Sequence, residues 1–502
     1  MVQRPTRRAA NRRVLDPRSA VTVGGAALKG GTIYAGDRLL IAELDGYEDR
    51  MACLNEQATS LGWTVAREEL TPGLSVVVVE GAESVVSSPP DAWVLLQHAR
   101  AAHGEDLPGV ALDHMIPAPG IEGNPVEISH PVEISHPVEI SHPVEISHPV
   151  EISHPASTYG IPGAGGRQPV AVLGDAPRRR SKVPGRRPVV AILDTGVGSH
   201  PWLDDVVEHE VRDVDGRRIG YARERDYAPG DDAPKEIEGL LNRLEGHGTF
   251  IAGIVRQVCP DAQILSWRSV PLEGAVRESD WITAIYQIAG LVRRAVEDAE
   301  AGRTSSTGHL IDVLNLSMGY YHENDADRLF DSVLKPVIDE LGSLGVTVVC
   351  SVGNDASRRP SFPAAFAPWR GTHADPDVVP VVSVGALNPD KKTAAYFSNM
   401  GPWVRAWAPG GAVVSTMPPI DGSLQPIAED VADGLRRACI DPDDFTGQFA
   451  VWSGTSFAAP WMAARIAGGI GEAIETGGAD DRRVARVKRG WEVVSGLTPI
   501  VQ

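Results

Sequence analysis

Apolar residues in this chain fall into short continuous runs set off by glycine, proline and charged turns. Pro188-Val189-Val190-Ala191-Ile192-Leu193 and Val346-Thr347-Val348-Val349-Cys350-Ser351-Val352 hold few polar positions, as strands buried on both faces of a parallel sheet do. Asp194 ends the first run, Thr195-Gly196 turn the chain away, and Asn354 follows the second. Elsewhere the spacing becomes helical. Phe250, Ile251, Ile254 and Val255 predict a helix over 248–258 with His247 at its start. Residues 457–473 predict a small-residue helix with Ser456 at its N-terminus, where the helix dipole favours negative charge. This pattern predicts an open α/β sheet with all four polar residues at its carboxyl edge, the usual ligand side.

The N-terminal part reads differently. Residues 1–36 are rich in Arg, Ala and Gly and predict a disordered basic tail. Over 37–119 a strand at 39–44, a helix at 47–61, strands at 63–69 and 74–79, a helix capped by Asp91 and a strand at 109–112 follow in turn. That βαββαβ order predicts a small α+β, ferredoxin-like module. Residues 120–186 then predict a linker. They contain five copies of Pro-Val-Glu-Ile-Ser-His, starting at Pro125, Pro131, Pro137, Pro143 and Pro149. Proline at every sixth position excludes a regular helix or central strand. Fully extended, the repeat tract 125–154 reaches up to ~90 Å at ~3.1 Å per residue. Histidines at 130, 136, 142, 148 and 154 make a weaker case for metal binding than for a spacer. Arg178-Arg179-Arg180-Ser181-Lys182 and Arg186-Arg187 close the linker as solvated charge, and residues 187–502 form the large domain.

The four polar residues suggest one chemistry. A serine hydroxyl needs a neighbouring imidazole to take its proton during attack on a carbonyl, which pairs Ser456 with His247. A buried carboxylate, Asp194, would fix the imidazole tautomer and stabilise the imidazolium. The Asn354 amide and the Ser456 backbone N–H would stabilise an oxyanion, each such donor being worth about 3 to 4 kcal/mol. Taken singly, each residue is an ordinary cap or turn. Taken together and in order, Ile192-Leu193-Asp194-Thr195-Gly196, Gly246-His247-Gly248-Thr249, Ser351-Val352-Gly353-Asn354 and Ser453-Gly454-Thr455-Ser456-Phe457-Ala458-Ala459-Pro460 resemble the subtilisin-like serine proteases, the subtilases, over roughly 187–480.

The resemblance implies a subtilisin-like parallel sheet flanked by helices, preceded by the α+β module in the role of a prodomain. It implies a serine endopeptidase with Asp194, His247 and Ser456 as triad and Asn354 in the oxyanion hole. Val313-Leu314-Asn315-Leu316-Ser317-Met318-Gly319 resembles the strand whose edge pairs with substrate, making Ser317, Met318 and Gly319 substrate-binding. The module's end, 112–118, would lie across that strand and inhibit in cis. Two positions depart from the family pattern. Phe250 stands where relatives often carry a second histidine, and Tyr320 where many have glycine; with Tyr321 it would reshape the specificity pocket. The alternatives are a catalytically silent binding protein of the same fold, or a module that acts as sensor or adaptor.

Composition narrows the setting. A net charge of −19 disfavours a nucleic-acid surface. No uninterrupted apolar stretch of membrane-spanning length and no signal segment appears, so no membrane partner and a cytoplasmic location are expected. Cys53, Cys259, Cys350 and Cys439 are far apart, without metal-ligand spacing. The chemistry requires no cofactor. Structural calcium, known among relatives, would look to the acidic stretches 225–238 and 441–444, which read more simply as solvated loops. The expected partners are a protein or peptide substrate and the chain's own N-terminal module.

Overall fold

The computed structural model describes residues 11–20, 31–83, 88–103, 107–117, 167–209, 211–221, 244–270, 275–323, 333–421 and 429–502. The five repeats and the acidic stretch 225–238 lie outside the described residues.

In the N-terminal module, β1 (Arg12–Leu15) and β2 (Thr32–Ala42) lead into α1 (Tyr47–Ser60), β3 (Trp63–Thr71), β4 (Leu74–Gly81), α2 (Ala92–His103) and β5 (Val110–Pro117). The antiparallel order β5-β2-β4-β3 interleaves the two βαβ halves as the sequence order predicts. Alternation along β2 explains what the sheet covers. Leu39 and Ile41 join Leu54, Trp93 and Leu96 in the module's own core, whereas Leu40 turns to the opposite face. Asp91 caps α2, its Oδ1 accepting the Trp93 N–H at 2.9 Å. The reading of 1–36 as a disordered tail does not hold for its described residues, 11–20 and 31–36. Arg12–Leu15 pairs with Thr32–Ala35 at the start of β2, Leu15 is buried, and Arg13 is held by Asp91.

Beyond the repeats come β6 (Gln168–Pro169), β7 (Val189–Asp194), β8 (Val207–His209), α3 (His247–Val258), β9 (Gln263–Arg268), β10 (Ala275–Arg277), α4 (Glu278–Glu300) and β11 (Val313–Leu316). There follow α5 (Lys335–Ser343), β12 (Thr347–Ser351), β13 (Val382–Leu387), β14 (Ala406–Pro409), β15 (Val413–Thr416), β16 (Glu429–Ala432), β17 (Leu435–Ala438), β18 (Phe449–Trp452), α6 (Thr455–Gly477) and α7 (Arg483–Leu497). Seven strands form a wholly parallel sheet in the order β14-β13-β12-β11-β7-β9-β8. Its two faces explain the unbroken apolar runs. Ala191 and Leu193 of β7 pack with Ile285 of α4 and Ile338 of α5, while Val190 and Ile192 pack with Phe250 of α3 and Ile466 of α6. This is the α/β sheet flanked by helices that the sequence predicts. Among the described residues no helix is long and apolar enough to cross a membrane.

The same packing joins the module to the large domain. Leu40, Leu74 and Val76 share a core with Trp281 and Ile285 of α4. At the sheet edge β5 pairs antiparallel with β10, matching Met115 to Arg277, Ile116 to Val276 and Pro117 to Ala275.

The linker reading to residue 186 is corrected too. Residues from Arg167 onward are built into the large domain. β6 pairs with β18, and Arg167 is fully buried with its guanidinium 5.1 Å from the Trp452 ring centre. Arg180 pairs with Asp261 and Glu475, and Arg186 with Asp312 and Asp481. Arg180, Arg186 and Arg187 of the basic run form ion pairs whose acids lie far along the chain, so nothing local in the sequence distinguished them from solvated charge.

Candidate active site

Asp194 is the last residue of β7, His247 the first of α3, and Ser456 the second of α6; Asn354 lies three residues beyond the end of β12. The parallel sheet brings these ends to one edge. The Asp194 turn and the start of α3 approach so closely that a Cβ on Gly248 would lie 2.2 Å from the Gly196 carbonyl oxygen. Thr195 Oγ1 ties the two by accepting the Gly248 N–H at 2.9 Å.

That approach sets Asp194 Oδ1 2.7 Å from His247 Nδ1, with both side chains about 1% exposed. Thr195 N donates to the same carboxylate oxygen at 2.7 Å. With Nδ1–H given to Asp194, Nε2 is left as the acceptor nitrogen, and among the described residues it has no hydrogen-bond partner. Trp452 and Phe457 wall the imidazole at ring distances of 5.6 and 5.4 Å. Phe250 packs on both of these rings, so the residue that departs from the family pattern belongs to this dry wall.

Ser456 is held from below. Its Oγ donates to the Ser317 carbonyl at 3.2 Å instead of to His247. Catalytic hydrogen bonds are often unmade in the absence of substrate. The Ser456 carbonyl lacks its usual helical donor because Pro460, four residues on, has no N–H. Ser317 Oγ donates to it instead, at 2.9 Å, and itself accepts from Asn315 Nδ2 at 2.9 Å. Asn354 Oδ1 accepts the Thr455 N–H and hydroxyl at 2.9 and 2.8 Å. Its carbonyl is thereby fixed. Sequence reasoning did not single out Thr195, Asn315 or Thr455; the one available signal was a polar residue within or beside an otherwise apolar strand or motif.

Ser317, Met318 and Gly319 follow directly on the end of β11. β11 lies between β7 and β12 and has no free edge. The chain leaves the sheet at Ser317, and Tyr320 pairs with Phe362, its N–H donating to the Phe362 carbonyl at 3.0 Å. A Cβ on Gly319 would meet the Phe362 carbonyl oxygen at 2.8 Å. The strand that the end of the module actually pairs with is β10.

At that junction His114 is fully buried. Its Nδ1 lies 2.6 Å from Glu278 and its Nε2 3.1 Å from Glu323, while Tyr320 stacks on the ring at 4.9 Å and donates its hydroxyl to Glu278. Burial works against charge on this imidazole, but Glu278 and then Glu323 outweigh it and lift its pKa to about 10. Beside it Asp113 accepts the Ser279 N–H and hydroxyl at 3.0 and 2.7 Å, so a module side chain caps the first turn of α4. Burial raises the Asp113 carboxyl, against the pull of Arg38 and these two bonds.

Among the described residues, donor atoms of His114, His322 and Glu323 lie within 4.8 Å of one another. Both His114 nitrogens already face carboxylates, and Arg100 reaches Glu323 at 3.5 Å, so charge is balanced from within and no metal is assigned there. In the 441–444 loop the carboxylates serve the turn itself. Asp441 accepts the Asp443 N–H and Asp444 that of Thr446, leaving calcium as an expectation only.

The model of the subtilase family (Peptidase S8) matches residues 185–479. An intracellular serine protease of Paenibacillus polymyxa is 26% identical over 307 residues, 58% of this chain and 69% of that protein. A thermophilic serine proteinase of Bacillus sp. (strain AK1) is 27% identical over 240 residues, 45% of each chain. Serine protease AprX of Bacillus subtilis (strain 168) is 26% identical over 317 residues, 57% of each. The crystal structure of a lanthipeptide protease aligns at 19% identity and a TM-score of 0.39, covering 61% of this chain and 81% of its own. The family match takes in more than half of the sequence, from just before β7 through α6, and the chain therefore belongs to the subtilase family of serine proteases.

Proposed function

We propose that the chain is a serine endopeptidase working through an acyl-enzyme, and that its N-terminal module covers the substrate path until it is removed. Ser456 Oγ attacks the scissile carbonyl while His247 Nε2 takes the hydroxyl proton. Asn354 and the Ser456 backbone N–H receive the oxyanion, and His247 passes the proton to the departing amine. Water then repeats the sequence on the ester and frees Ser456. The observation that carries this reading is the buried 2.7 Å Asp194–His247 contact, which fixes the tautomer needed for a base at Nε2.

The pairing of β5 with β10 supports the role of the module. An extended segment added to a free strand edge is how a peptide substrate would bind there, main chain to main chain. A cut beyond Pro117 would separate the module from the catalytic chain.

A fluorophosphonate probe and intact-mass analysis of the full-length protein test both parts. The wild-type chain should lose its N-terminal segment with time, and probe labelling should rise as it does. Ser456→Ala should show neither change. Equal peptidase activity in Ser456→Ala would overturn the mechanism. Full labelling of an uncut wild-type chain would overturn the covering role and favour a sensor or adaptor. An uncut chain that also resists labelling after limited proteolysis of the module would favour a silent binding protein.

A further inference from the structure

We propose that the pocket now holding His114 is a substrate subsite that selects a basic side chain on the amino-terminal side of the scissile bond. The proposal deepens the peptidase reading above and rests on it, because it takes the path of β5 to be a path for substrate.

The charges that face each other directly are split between the two parts of the chain, with His322 of the large domain adding a further attraction on Glu323. The large domain contributes two carboxylates, Glu278 and Glu323, which are 1% and 2% exposed. The module contributes the cations, His114 between the two acids and Arg100 at 3.5 Å from Glu323. From the large domain Glu278 receives the Tyr320 hydroxyl, a neutral donor. His322 lines the same space, its ring 5.0 Å from that of His114 and 4.5 Å from that of Phe362. When the module leaves, two acids lose both cations and remain together in a pocket walled by aromatic rings. Like charges in such a place repel and are poorly solvated, so the occupant that restores the balance is a cation. A neutral side chain would leave both carboxylates without the counter-charge that the module supplied.

The register says where on the peptide that cation belongs. His114 precedes Met115, the residue opposite Arg277, and alternation puts His114 and Ile116 on one face of the strand. Ile116 packs in the same core as Val276 and Trp281. A substrate following β5 would thus present a basic residue two positions before an aliphatic one. The pocket is also near the chemistry. Tyr320, which stacks on His114, is three residues from Ser317, whose carbonyl accepts the Ser456 hydroxyl. Three residues span at most about 10 Å.

The test is cleavage-site profiling of a peptide library by the full-length enzyme after it has processed itself, or after limited proteolysis of the module. Arg, Lys or His should be enriched at one fixed position on the amino-terminal side. For two peptides differing only there, arginine against glutamine, the kcat/KM ratio should be roughly 10 to 100. Glu278→Gln and Glu323→Gln should each draw that ratio toward one, and the ratio is insensitive to any general loss of active protein. Cleavage without a preferred basic position, or a ratio that neither substitution moves, overturns the subsite. Should Ser456 accept a fluorophosphonate while no peptide is cut, the same two peptides are compared as protectors against labelling, and equal protection again overturns it. A chain that neither cuts nor labels refutes the peptidase reading first, and the subsite falls with it.

Discussion

Ser317 and Ser456 hold each other through two hydrogen bonds of opposite direction. The Ser317 hydroxyl donates to the Ser456 carbonyl at 2.9 Å, and the Ser456 hydroxyl donates to the Ser317 carbonyl at 3.2 Å. The first bond supplies the donor that Pro460 cannot, and it fixes the turn from which the candidate nucleophile projects. Ser317→Ala should leave a buried carbonyl without a partner and cost about 1 to 3 kcal/mol of stability. In kinetics kcat should fall with little change in KM. Urea unfolding and steady-state rates on a peptide substrate check both, and an unchanged kcat would reduce Ser317 to ordinary packing.

Asn354→Ala should slow turnover by about 10²- to 10³-fold while Ser456 still accepts a fluorophosphonate. The Thr455 contacts that hold the Asn354 carbonyl are lost in this variant as well. Asn354→Asp is therefore the sharper control, since it keeps an acceptor for Thr455 and removes the N–H. Rates for both variants should be similarly low.

Asp194→Asn should keep the fold and lower kcat by about 10⁴-fold, because an amide facing Nδ1 no longer enforces the tautomer that leaves Nε2 free to accept. Circular dichroism would verify the fold, and a modest loss of rate would show that the 2.7 Å contact does not govern catalysis.

The junction at His114 makes attachment of the module depend on pH. The docked imidazolium titrates near 10, lifted by Glu278 and Glu323 over the opposing effect of burial, whereas a free histidine titrates near 6.5. A raised pKa contributes stability that is fully present below about 6.5 and is lost as pH rises through about 10. Arg100, bonded to Glu323, and Arg38, bonded to Asp113, keep their charge across this range; His322 is the other titratable ring in the cluster. In full-length Ser456→Ala the urea midpoint should fall between pH 7 and pH 10. His114→Gln should flatten that dependence, and an equal fall in both proteins would assign it to other groups.

Asp312 works in the opposite direction. Burial would raise its carboxyl, but Arg186 and then Arg486 outweigh burial and hold it far below the usual range. Its contribution is present above about pH 4 and lost as pH falls through the depressed value. Asp312→Asn leaves the fully buried Arg486 short of its counter-charge and should cost about 3 to 5 kcal/mol at neutral pH. Chemical denaturation would measure this, and a loss under 1 kcal/mol would mean that Asp481 compensates.

What the sequence revealed depended on the range of the interactions. Local regularities were readable. The unbroken run before Asp194, the helical spacing after His247 and the small residues after Ser456 each specify an element, and their order led to the sheet edge. Contacts between distant segments were not readable. Nothing around Arg186 points to Asp312, and nothing around His114 points to Glu278, because an ion pair leaves no periodicity in either partner. β1 was lost for a related reason, since four residues rich in arginine are too short to show alternation. The pairing of the module's end was not readable either, because nothing in the sequence around β5 points to β10.

The strand order of the large domain also sets a timetable for the ribosome. β7 is made early, yet Val190 pairs with Val313, 123 residues further on. At 5 to 20 residues per second the centre of the sheet waits about 6 to 25 s for that partner. Every strand pairing within the module lies between Arg12 and Pro117, so the module can be complete before β7 has been translated. β10, which pairs with β5, emerges 36 residues ahead of β11. The nascent protease thus meets its partner strand on the module before its own central strand arrives.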